Sequence, residues 1–326
     1  MILVTGGAGF IGSNMLADLE AAGAGPLVLC DWLGTGEKWR NVSKRRIAEF
    51  VRPEDLPRWL EGRQGVEAVI HLGAISATTE RDADLLIERN IRTTVRLWDW
   101  CTAARVPLLY ASSAASYGAR ETDLADDEAP AALAALAPLN AYGWSKAATD
   151  RILLDRARAG EAPALWAGLR FFNVYGPNEY HKENMMSVVT RFFSPLSRGE
   201  TVELFKSDRP GIADGQQSRD FVYVKDCTAA MLAMLERPVP SGLYNLGTGV
   251  ARSFADLVAA LGRALGREPE IRYIPLPVAL EGRYQYRTEA QMAKLRRAGI
   301  DMPFRDIEAG VADYVETHLS TMDPYR

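Results

Sequence analysis

The chain has 326 residues, of which 38 are lysine or arginine and 42 are aspartate or glutamate, so its net charge is −4. This slightly acidic balance offers no basic field to nucleic acid or to an anionic membrane surface, and it favours a small-molecule partner. The length is sufficient for a large core and predicts two lobes.

Targeting and redox signals also exclude several classes of protein. No apolar run approaches the ~20 residues that a membrane span needs. The first strand begins at Met1, which leaves no room for a signal peptide. The cysteines Cys30, Cys101 and Cys227 lack the spacing of a disulfide framework or a metal site, and we expect them to be reduced and mostly buried. These features predict a cytoplasmic globular protein with no metal site.

A glycine-rich turn follows the first predicted strand. Residues 2–4 are a short apolar run typical of a buried strand, and Gly6, Gly9 and Gly12 follow before an amphipathic helix. This order suits a dinucleotide pyrophosphate, because glycine lets the backbone approach phosphates and the helix start supplies free N–H groups. The second strand ends on Asp31, about twenty residues past the glycines, where an acceptor for a ribose hydroxyl is expected. The pattern favours a nucleotide site over an ordinary glycine turn.

Strands and helices alternate through the first half of the chain, which predicts a parallel, doubly wound sheet. Residues 66–72 form one of these strands, and the loop 73–76 at its carboxyl end lies where ligands bind in open α/β sheets. His71 lies inside this apolar strand and is more simply a hydrogen-bonded core residue than a catalyst. Asn90 opens the next apolar helix.

A tyrosine and a lysine lie four residues apart at the start of a later helix. Tyr142 and Lys146 project from one face of that helix, and Ser113 follows the preceding strand. Such a pair occurs by chance in many helices, but after a serine-rich strand end in a Rossmann chain it carries more weight. A tyrosine with an ordinary pKa near ~10 serves as an acid or base near neutral pH only if that pKa is lowered, and a nearby ammonium group does this. Ser113 can hydrogen-bond the same substrate oxygen.

The second half of the chain loses the regular alternation after residue 177. Its predicted elements are a helix at 185–193, a polar loop at 206–218, a strand at 221–226, a helix at 227–235, a strand at 242–246, a helix from Ser253 to Leu265, a strand at 271–274, a loop at 275–286 and two amphipathic helices. We therefore predict an α/β fold, with a Rossmann doubly wound parallel sheet and a smaller mixed α/β C-terminal substrate domain. Residues 1–172 with 218–247 would form the first domain, and residues 173–217 with 248–326 the second.

Five motifs spread over nearly the whole chain resemble the extended short-chain dehydrogenase/reductase family. They are Thr5–Gly12, Ser113, Tyr142-x-x-x-Lys146, Arg170–Pro177 and Arg219–Asp226. The resemblance implies an enzyme that acts on a nucleotide-activated sugar through a bound nicotinamide cofactor. The dehydratases of this family carry Thr-Asp-Glu where this chain has Ser113-Ala114-Ala115, so the acid and base for water elimination are absent.

Within the family, the chain is similar to epimerases that act on ADP-heptose. The similarity lies in Glu179–Lys182 with Met185, Ser187 and Val188, in Gly282–Gln285 and in Leu295–Gly299. It implies inversion at C6 of the heptose by transient oxidation and re-reduction, which would supply heptose for the lipopolysaccharide core. It also implies a homo-oligomer.

The resemblance assigns catalytic roles to four residues. Tyr142 and Lys182 would be the two acid/base groups that inversion requires, Lys146 would tune Tyr142 and hold the nicotinamide ribose, and Ser113 would orient the oxygen. Lys182 could instead be a solvated surface lysine. His181 beside it is a competitor for the acid/base role, because its ordinary pKa near ~6.5 suits proton transfer.

The cofactor is predicted to be NADP, with NAD as the alternative. Asp31 alone favours NAD, because it accepts from a ribose 2′-hydroxyl and repels a phosphate, whereas the family resemblance implies that Lys38 reaches back and offsets that repulsion. The expected cofactor-binding residues are Gly6, Gly9, Phe10, Ile11, Gly12, Asp31, Trp32, Lys38, Leu72, Gly73, Ala74, Ile75, Ser76, Asn90, Tyr142, Lys146, Val174 and Lys182. The expected substrate-binding residues are Ser113, Asn173, Asn184, Arg191, Leu204, Phe205, Lys206, Ser207, Arg219 and Tyr284.

Two rival functions remain open at this point. A UDP-hexose 4-epimerase would use Ser113, Tyr142 and Lys146 but would leave Lys182 without a role. A nucleotide-binding regulator would keep the fold without catalysis, although it would have no need of a tuned phenol. Fold alone does not decide between them.

Overall fold

The computed structural model describes residues 1–277 and 284–326, so the Gly282-Arg283 part of the motif noted above lies outside the described residues. The strands of the described part are β1 (Ile2–Thr5), β2 (Leu27–Cys30), β3 (Glu49–Val51), β4 (Ala68–His71), β5 (Leu108–Ser113), β6 (Trp166–Phe171), β7 (Asn173–Tyr175), β8 (Val202–Phe205), β9 (Ser218–Tyr223), β10 (Gly242–Leu246), β11 (Ala251–Ser253) and β12 (Ile271–Ile274). Its α-helices are α1 (Phe10–Ala21), α2 (Leu56–Leu60), α3 (Ala83–Leu86), α4 (Thr93–Ala104), α5 (Pro130–Ala134), α6 (Ala141–Arg158), α7 (Val188–Ser197), α8 (Val224–Glu236), α9 (Phe254–Ala264), α10 (Ala293–Arg297) and α11 (Ile307–Tyr314).

Seven strands form one parallel sheet in the order β3-β2-β1-β4-β5-β6-β10. Strands β1, β2, β4 and β6 are buried along their whole length, as expected for apolar strands covered by helices on both faces. The chain runs outward from β1 in both directions, which opens a crevice at the carboxyl ends of β1 and β4. The predicted doubly wound sheet is confirmed.

A second, smaller part of the fold, the smaller lobe, has its own sheets and core. Strand β9 lies between β7 and β11, and β8 pairs with β12. Helices α7, α9 and α11 enclose an apolar cluster that includes Val189, Leu257 and Val311 and is separate from the cluster under the large sheet. The proposed division of the chain into two domains stays a prediction.

Local capping explains where the second-half helices begin. Ser253 caps α9 as predicted, because its hydroxyl accepts from the amide of Asp256 while the Asp256 carboxylate accepts from the amide of Ser253. The helix expected at 185–193 begins later, at Val188, because Ser187 is its N-cap and residues 180–185 form a 3₁₀ turn interrupted at Glu183, where φ is +48°. None of the helices in the described ranges combines the length and apolar content that a membrane span requires.

Candidate active site

The glycine turn after β1 forms a cradle that larger residues would fill. Gly6 has a φ of +66°, and a Cβ there would lie 2.6 Å from the amide nitrogen of Gly73. A Cβ on Gly12 would overlap the carbonyl oxygen of Gly6. Gly9 is the N-cap of α1, whose first amides lack partners within the helix. The backbone of β1, α1 and the loop after β4 therefore meets at one point, which fits a dinucleotide pyrophosphate.

The acidic residue at the end of β2 is already engaged. The Asp31 carboxylate accepts hydrogen bonds from the amide of Ala8 at 3.0 Å, from the amide of Trp32 at 2.7 Å and from Lys38 Nζ at 2.7 Å. Lys38 also donates to the carbonyl of Trp32 at 2.8 Å. The Arg89 guanidinium lies 4.5 Å from the centre of the Trp32 ring. The structure thus brings Asp31, Trp32 and Lys38 together beside the glycine turn, as the sequence predicts.

The loop after β4 is held from behind by Asn90. The side-chain amide of Asn90 accepts from the amide of Ile75 at 2.9 Å and donates to the carbonyl of Ile75 and to Ser145 Oγ, both at 3.0 Å. This buried side chain therefore fixes the loop through both the amide and the carbonyl of Ile75, and its second N–H group ties the loop to α6. His71 is buried at the end of β4, between the hydroxyls of Thr5 and Thr94. Its interpretation as a hydrogen-bonded core residue is confirmed.

Ser113 and Tyr142 are brought together by a glycine. Ser113 ends β5, and α6 begins at Ala141, where the Asn140 side chain accepts from the amide of Gly143 at 2.8 Å. A Cβ on Gly143 would lie only 2.6 Å from the carbonyl oxygen of Ala115, so a larger residue would push the helix away from the turn after β5. In this arrangement the Ser113 hydroxyl lies close enough to Tyr142 to lower the pKa of its phenol.

Burial changes the proton affinity of both groups on this helix. Burial raises the pKa of Tyr142, and the nearby Ser113 hydroxyl opposes that rise. The sequence-based expectation of a lowered tyrosine pKa is therefore wrong for the protein alone, because desolvation of the phenolate outweighs the stabilising contacts. Burial also lowers the pKa of Lys146 to about 8, and the charge of Asp150 opposes that fall. Lys146 Nζ donates to the carbonyl of Ala111 at 2.7 Å.

Lys182 lies against the glycine turn and is not a fully solvated surface lysine. Its Nζ is 5.1 Å from the centre of the Phe10 ring, at the first residue of α1, and its side chain is half-buried. Burial lowers the pKa of Lys182, and the charge of Glu179 opposes this. The turn that carries Lys182 is anchored by the buried Glu179 carboxylate, which accepts from the hydroxyls of Ser187 and Thr190 at 2.6 Å.

His181 is a poor competitor for the acid/base role. Burial lowers its pKa to about 4, and the charges of Lys38 and Lys182 add to this effect. Its Nδ1 lies 3.1 Å from Nδ2 of Asn41, which can only donate, so the hydrogen of the neutral ring is on Nε2. His181 therefore holds Asn41 and carries no proton on Nδ1.

The smaller lobe contains a buried arginine, Arg219, whose guanidinium lies beside two aromatic rings. The guanidinium of the buried Arg219 is 5.2 Å from the centre of the Tyr284 ring and 5.6 Å from that of Phe254. Burial lowers its pKa, and no carboxylate of the described residues forms an ion pair with it. Phe205 packs edge-on against Tyr284, with ring centres 6.2 Å apart. A desolvated guanidinium of this kind suits a diphosphate.

The remaining predicted residues differ in how far they can reach a ligand. Leu204 is buried in the core of the smaller lobe. Val174 and Ser207 are half-buried, and the amide of Ser207 donates to Asp214 at 2.8 Å. Four others are exposed, and their contact with a substrate stays a prediction: Asn173, Asn184, Arg191 and Lys206.

Sequence reasoning missed a buried ion pair below the site. Asp150 and Arg170 are almost fully buried, with Arg170 Nε 3.0 Å from Asp150 Oδ2, and Ser112 Oγ donates to the same carboxylate oxygen at 2.8 Å. Asp150 is one helical turn after Lys146, on the same face of α6, which is a spacing that the sequence contains. The pair joins the middle of α6 to β6, and the hydrogen bond from Ser112 joins it to β5.

The sequence pattern of the NAD dependent epimerase/dehydratase family matches residues 2–247. The chain belongs to that family. ADP-L-glycero-D-manno-heptose-6-epimerase of Nitratidesulfovibrio vulgaris is 45% identical to it over the full length of both chains. The crystal structure of the Helicobacter pylori protein of the same name aligns with a TM-score of 0.80 and 28% identity over 97% of this chain and 95% of that one. Thermus thermophilus UDP-glucose 4-epimerase, solved with NAD, aligns with a TM-score of 0.76 and 28% identity over 97% of each chain. Membership of a family of nicotinamide-dependent nucleotide-sugar enzymes, expected from the motifs, is confirmed.

Proposed function

We propose that the protein converts ADP-D-glycero-D-manno-heptose to ADP-L-glycero-D-manno-heptose by epimerisation at C6, and that the product supplies heptose for the lipopolysaccharide core. The observation that carries this proposal is the 45% identity, along its whole length, to a relative of that name. The position of Lys182 against the glycine turn supports it further, because a UDP-hexose 4-epimerase has no role for this lysine. The reduced, buried cysteines are consistent with a cytoplasmic enzyme.

The residues of the cleft provide what a bound nicotinamide dinucleotide requires. Gly6, Gly9 and Gly12 form the cradle for its pyrophosphate, and Asp31 with Lys38 lies at the expected position of the adenosine ribose. A nicotinamide held there would supply the chemistry of transient hydride removal from C6 of the sugar and of its return. Lys146, buried beside the start of α6, holds the nicotinamide ribose.

Two groups move the proton of the C6 oxygen from two directions. Tyr142 takes or gives this proton for one configuration, with Ser113 hydrogen-bonded to the same oxygen. Lys182 does so for the other configuration, and burial favours the neutral amine that can accept a proton. Lys146 favours the phenolate of Tyr142 once its Nζ turns from the carbonyl of Ala111 toward the ribose. The substrate ketone rotates between the two steps, so hydride returns to its opposite face.

Lys38 supports NADP as the cofactor. The Asp31 carboxylate, which would repel a 2′-phosphate, forms an ion pair with Lys38 and accepts from two backbone amides. Lys38 uses two of its three N–H groups, on Asp31 and on the carbonyl of Trp32, and retains one for a phosphate oxygen. NAD is the alternative if that third donor is not used.

The smaller lobe holds the nucleotide sugar. Arg219 is a fixed, desolvated cation for the diphosphate, and the rings of Phe205 and Tyr284 provide apolar faces beside it. Residues 173–207 complete this side of the cleft. The contacts of Arg219 with aromatic rings in place of carboxylates support this role.

Nucleotide analysis and a substrate comparison test the proposal. The purified protein is denatured, the released nucleotide is identified by mass spectrometry, and the native protein is assayed with ADP-D-glycero-D-manno-heptose, UDP-glucose and UDP-N-acetylglucosamine. We expect NADP to be released and only the ADP-heptose to be epimerised. Turnover of a UDP-hexose in its place would identify the rival 4-epimerase, and binding without any turnover would identify a regulator.

A further inference from the structure

Residues 323–326 pack against three separate segments of the chain, and the function proposed above gives them no role. The first contact is with α1, the helix that begins at the glycine turn. The guanidinium of Arg326 forms an ion pair with Asp18 and lies 3.3 Å from Oδ1 of Asn14. Asn14 in turn donates to the carbonyl of Pro177 at 2.9 Å. The segment is thus fixed to the helix that faces the cofactor pyrophosphate.

The second contact is with the residues that follow Lys38. Lys44 Nζ donates to the carbonyl of Tyr325 at 2.5 Å and lies 2.9 Å from Oδ2 of Asp323. The guanidinium of Arg40 stacks over the Tyr325 ring, 4.6 Å from its centre. The Tyr325 side chain is buried by these contacts. Residues 323–326 therefore hold the segment 37–44, in which Lys38 reaches Asp31.

The third contact is with the turn that carries Lys182. The amide of Arg326 donates to Oδ1 of Asn178 at 2.9 Å, and the Tyr180 hydroxyl donates to the carbonyl of Pro324 at 3.0 Å. The rings of Tyr180 and Tyr325 pack edge-on with their centres 5.1 Å apart. Asn178 is fully buried and has a φ of +72°, a conformation that a residue other than glycine holds only where its surroundings fix it.

The two segments held in this way also contact each other beside the glycine turn. Nδ2 of Asn41 donates to the carbonyl of Ala8 at 2.8 Å and to Nδ1 of His181 at 3.1 Å. The Asn178 side chain donates to Ser13 Oγ at 3.0 Å. A shift of either segment would therefore disturb the other and the glycine turn with it.

We propose that residues 323–326 are a strap that positions the segments 37–44 and 177–182 against α1, and that the strap thereby sets cofactor affinity through Lys38 and turnover through Lys182. None of its side chains needs to touch cofactor or substrate, so its residues act by positioning. The effect on turnover rests on the epimerisation proposed above, whereas the effect on cofactor affinity rests only on the proposal that Lys38 binds NADP.

The Tyr325 ring offers a matched pair of variants. Among the described residues its hydroxyl has no hydrogen-bond partner, so Tyr325→Phe keeps the packing on Tyr180 and Arg40 while Tyr325→Ala removes it. We expect Tyr325→Ala to raise the dissociation constant of NADPH about fivefold or more and to lower kcat with ADP-heptose about tenfold. KM for ADP-heptose should change less than kcat, because Arg219 and Tyr284, the proposed contacts of the diphosphate, lie outside the strap's contacts. Tyr325→Phe should stay within about twofold of wild type in all three quantities.

Two measurements distinguish a lost positioning effect from a lost folded structure. NADPH affinity is measured by fluorescence titration, and circular dichroism establishes that each variant is folded at the assay temperature. Arg326→Ala, which removes only the pairing with α1, carries the same test if Tyr325→Ala does not fold. Equal affinity and equal kcat in the folded Ala and Phe variants would overturn the strap, and so would a change confined to KM. If wild type does not turn over ADP-heptose, the proposed function fails, and the NADPH comparison alone decides for or against the strap.

Discussion

Tyr142 and Lys182, the two proposed acid/base groups, lie in environments that change their pKa values in opposite directions. Burial raises the pKa of the phenol and lowers that of the amine, so each group approaches the neutral form at the start of catalysis. Tyr142→Phe and Lys182→Met should each lower epimerisation by about 10² to 10⁴. With an analogue that already has a ketone at C6, each variant should still reduce the carbonyl, but to opposite stereoisomers. Chiral analysis of the products checks this, and a wild-type mixture from Lys182→Met would make Lys182 a binding residue only.

Lys182→Arg distinguishes proton transfer from charge at the same position. Arginine keeps a cation over the Phe10 ring, but its pKa above ~12 prevents it from giving up a proton near neutral pH. We expect Lys182→Arg to keep substrate affinity and to be as slow as Lys182→Met. Steady-state kinetics with ADP-heptose provides the measurement. Recovery of turnover in the arginine variant would show that only the charge matters.

We propose that Lys38 decides between NADP and NAD. Lys38→Ala leaves the Asp31 carboxylate without its ion pair, and this carboxylate then repels a 2′-phosphate while still accepting from a ribose hydroxyl. The variant should bind NADPH at least about tenfold more weakly and bind NADH as well as wild type does. Fluorescence titration with both nucleotides measures the ratio. Equal weakening for both would show that Lys38 only supports the local fold.

At the scale of single elements, the local sequence pattern predicted the large sheet and the position of the candidate site at the ends of its strands. The apolar runs of β1, β2 and β4 and the glycines between β1 and α1 were sufficient to place the cofactor cleft, because in a parallel sheet the strand ends share one edge. Gly143 between Tyr142 and Trp144 could have signalled the close approach of α6 to Ser113. Asn41 and Asn178 could not be found in this way, because Asn41 meets His181 at a separation of 140 residues and Asn178 meets Arg326 at a separation of 148.

Helix α6 has an exposed apolar row that points to association between copies of the chain. Trp144, Ala148 and Ile152 are spaced by four residues, so they share one face, and the tryptophan and isoleucine are exposed by 39% and 37%. We propose that this face forms the expected homo-oligomer. Ile152→Asp should shift the protein to monomers in analytical ultracentrifugation. Val250→Asp, at an exposed apolar residue outside α6, should not. Equal association in both variants would exclude α6 as the interface.

On the scale of the whole molecule, the three histidines link stability to pH. Burial is the main cause that lowers their pKa values, to about 3 for His71 and to about 4 for His181 and His318. Between pH 6.5 and about 4 the unfolded chain therefore binds protons that the folded protein does not. The fully buried His71 then lowers the free energy of unfolding by about 1.4 kcal/mol per pH unit as the pH falls, and the less deeply buried His181 and His318 act in the same direction. Burial raises the pKa of Asp126, Asp220 and Asp226, which acts in the opposite direction over the lower part of this range.

His71→Gln isolates one of these contributions, because glutamine can both donate to Thr94 and accept from Thr5 but does not titrate. The free energy of unfolding is measured by urea titration at several pH values between 4 and 7. Below pH 6.5, the free energy of unfolding should change less steeply with pH in the variant than in wild type. The difference in slope corresponds to about one proton, or about 1.4 kcal/mol per pH unit. Above pH 6.5 neither form of His71 binds a proton, so the two curves should run parallel there whatever the packing cost of the substitution. Parallel curves over the whole range would show that folding leaves the pKa of His71 unchanged, and would contradict the prediction. We expect a difference because the ring is enclosed by two threonine hydroxyls and the core of the large sheet.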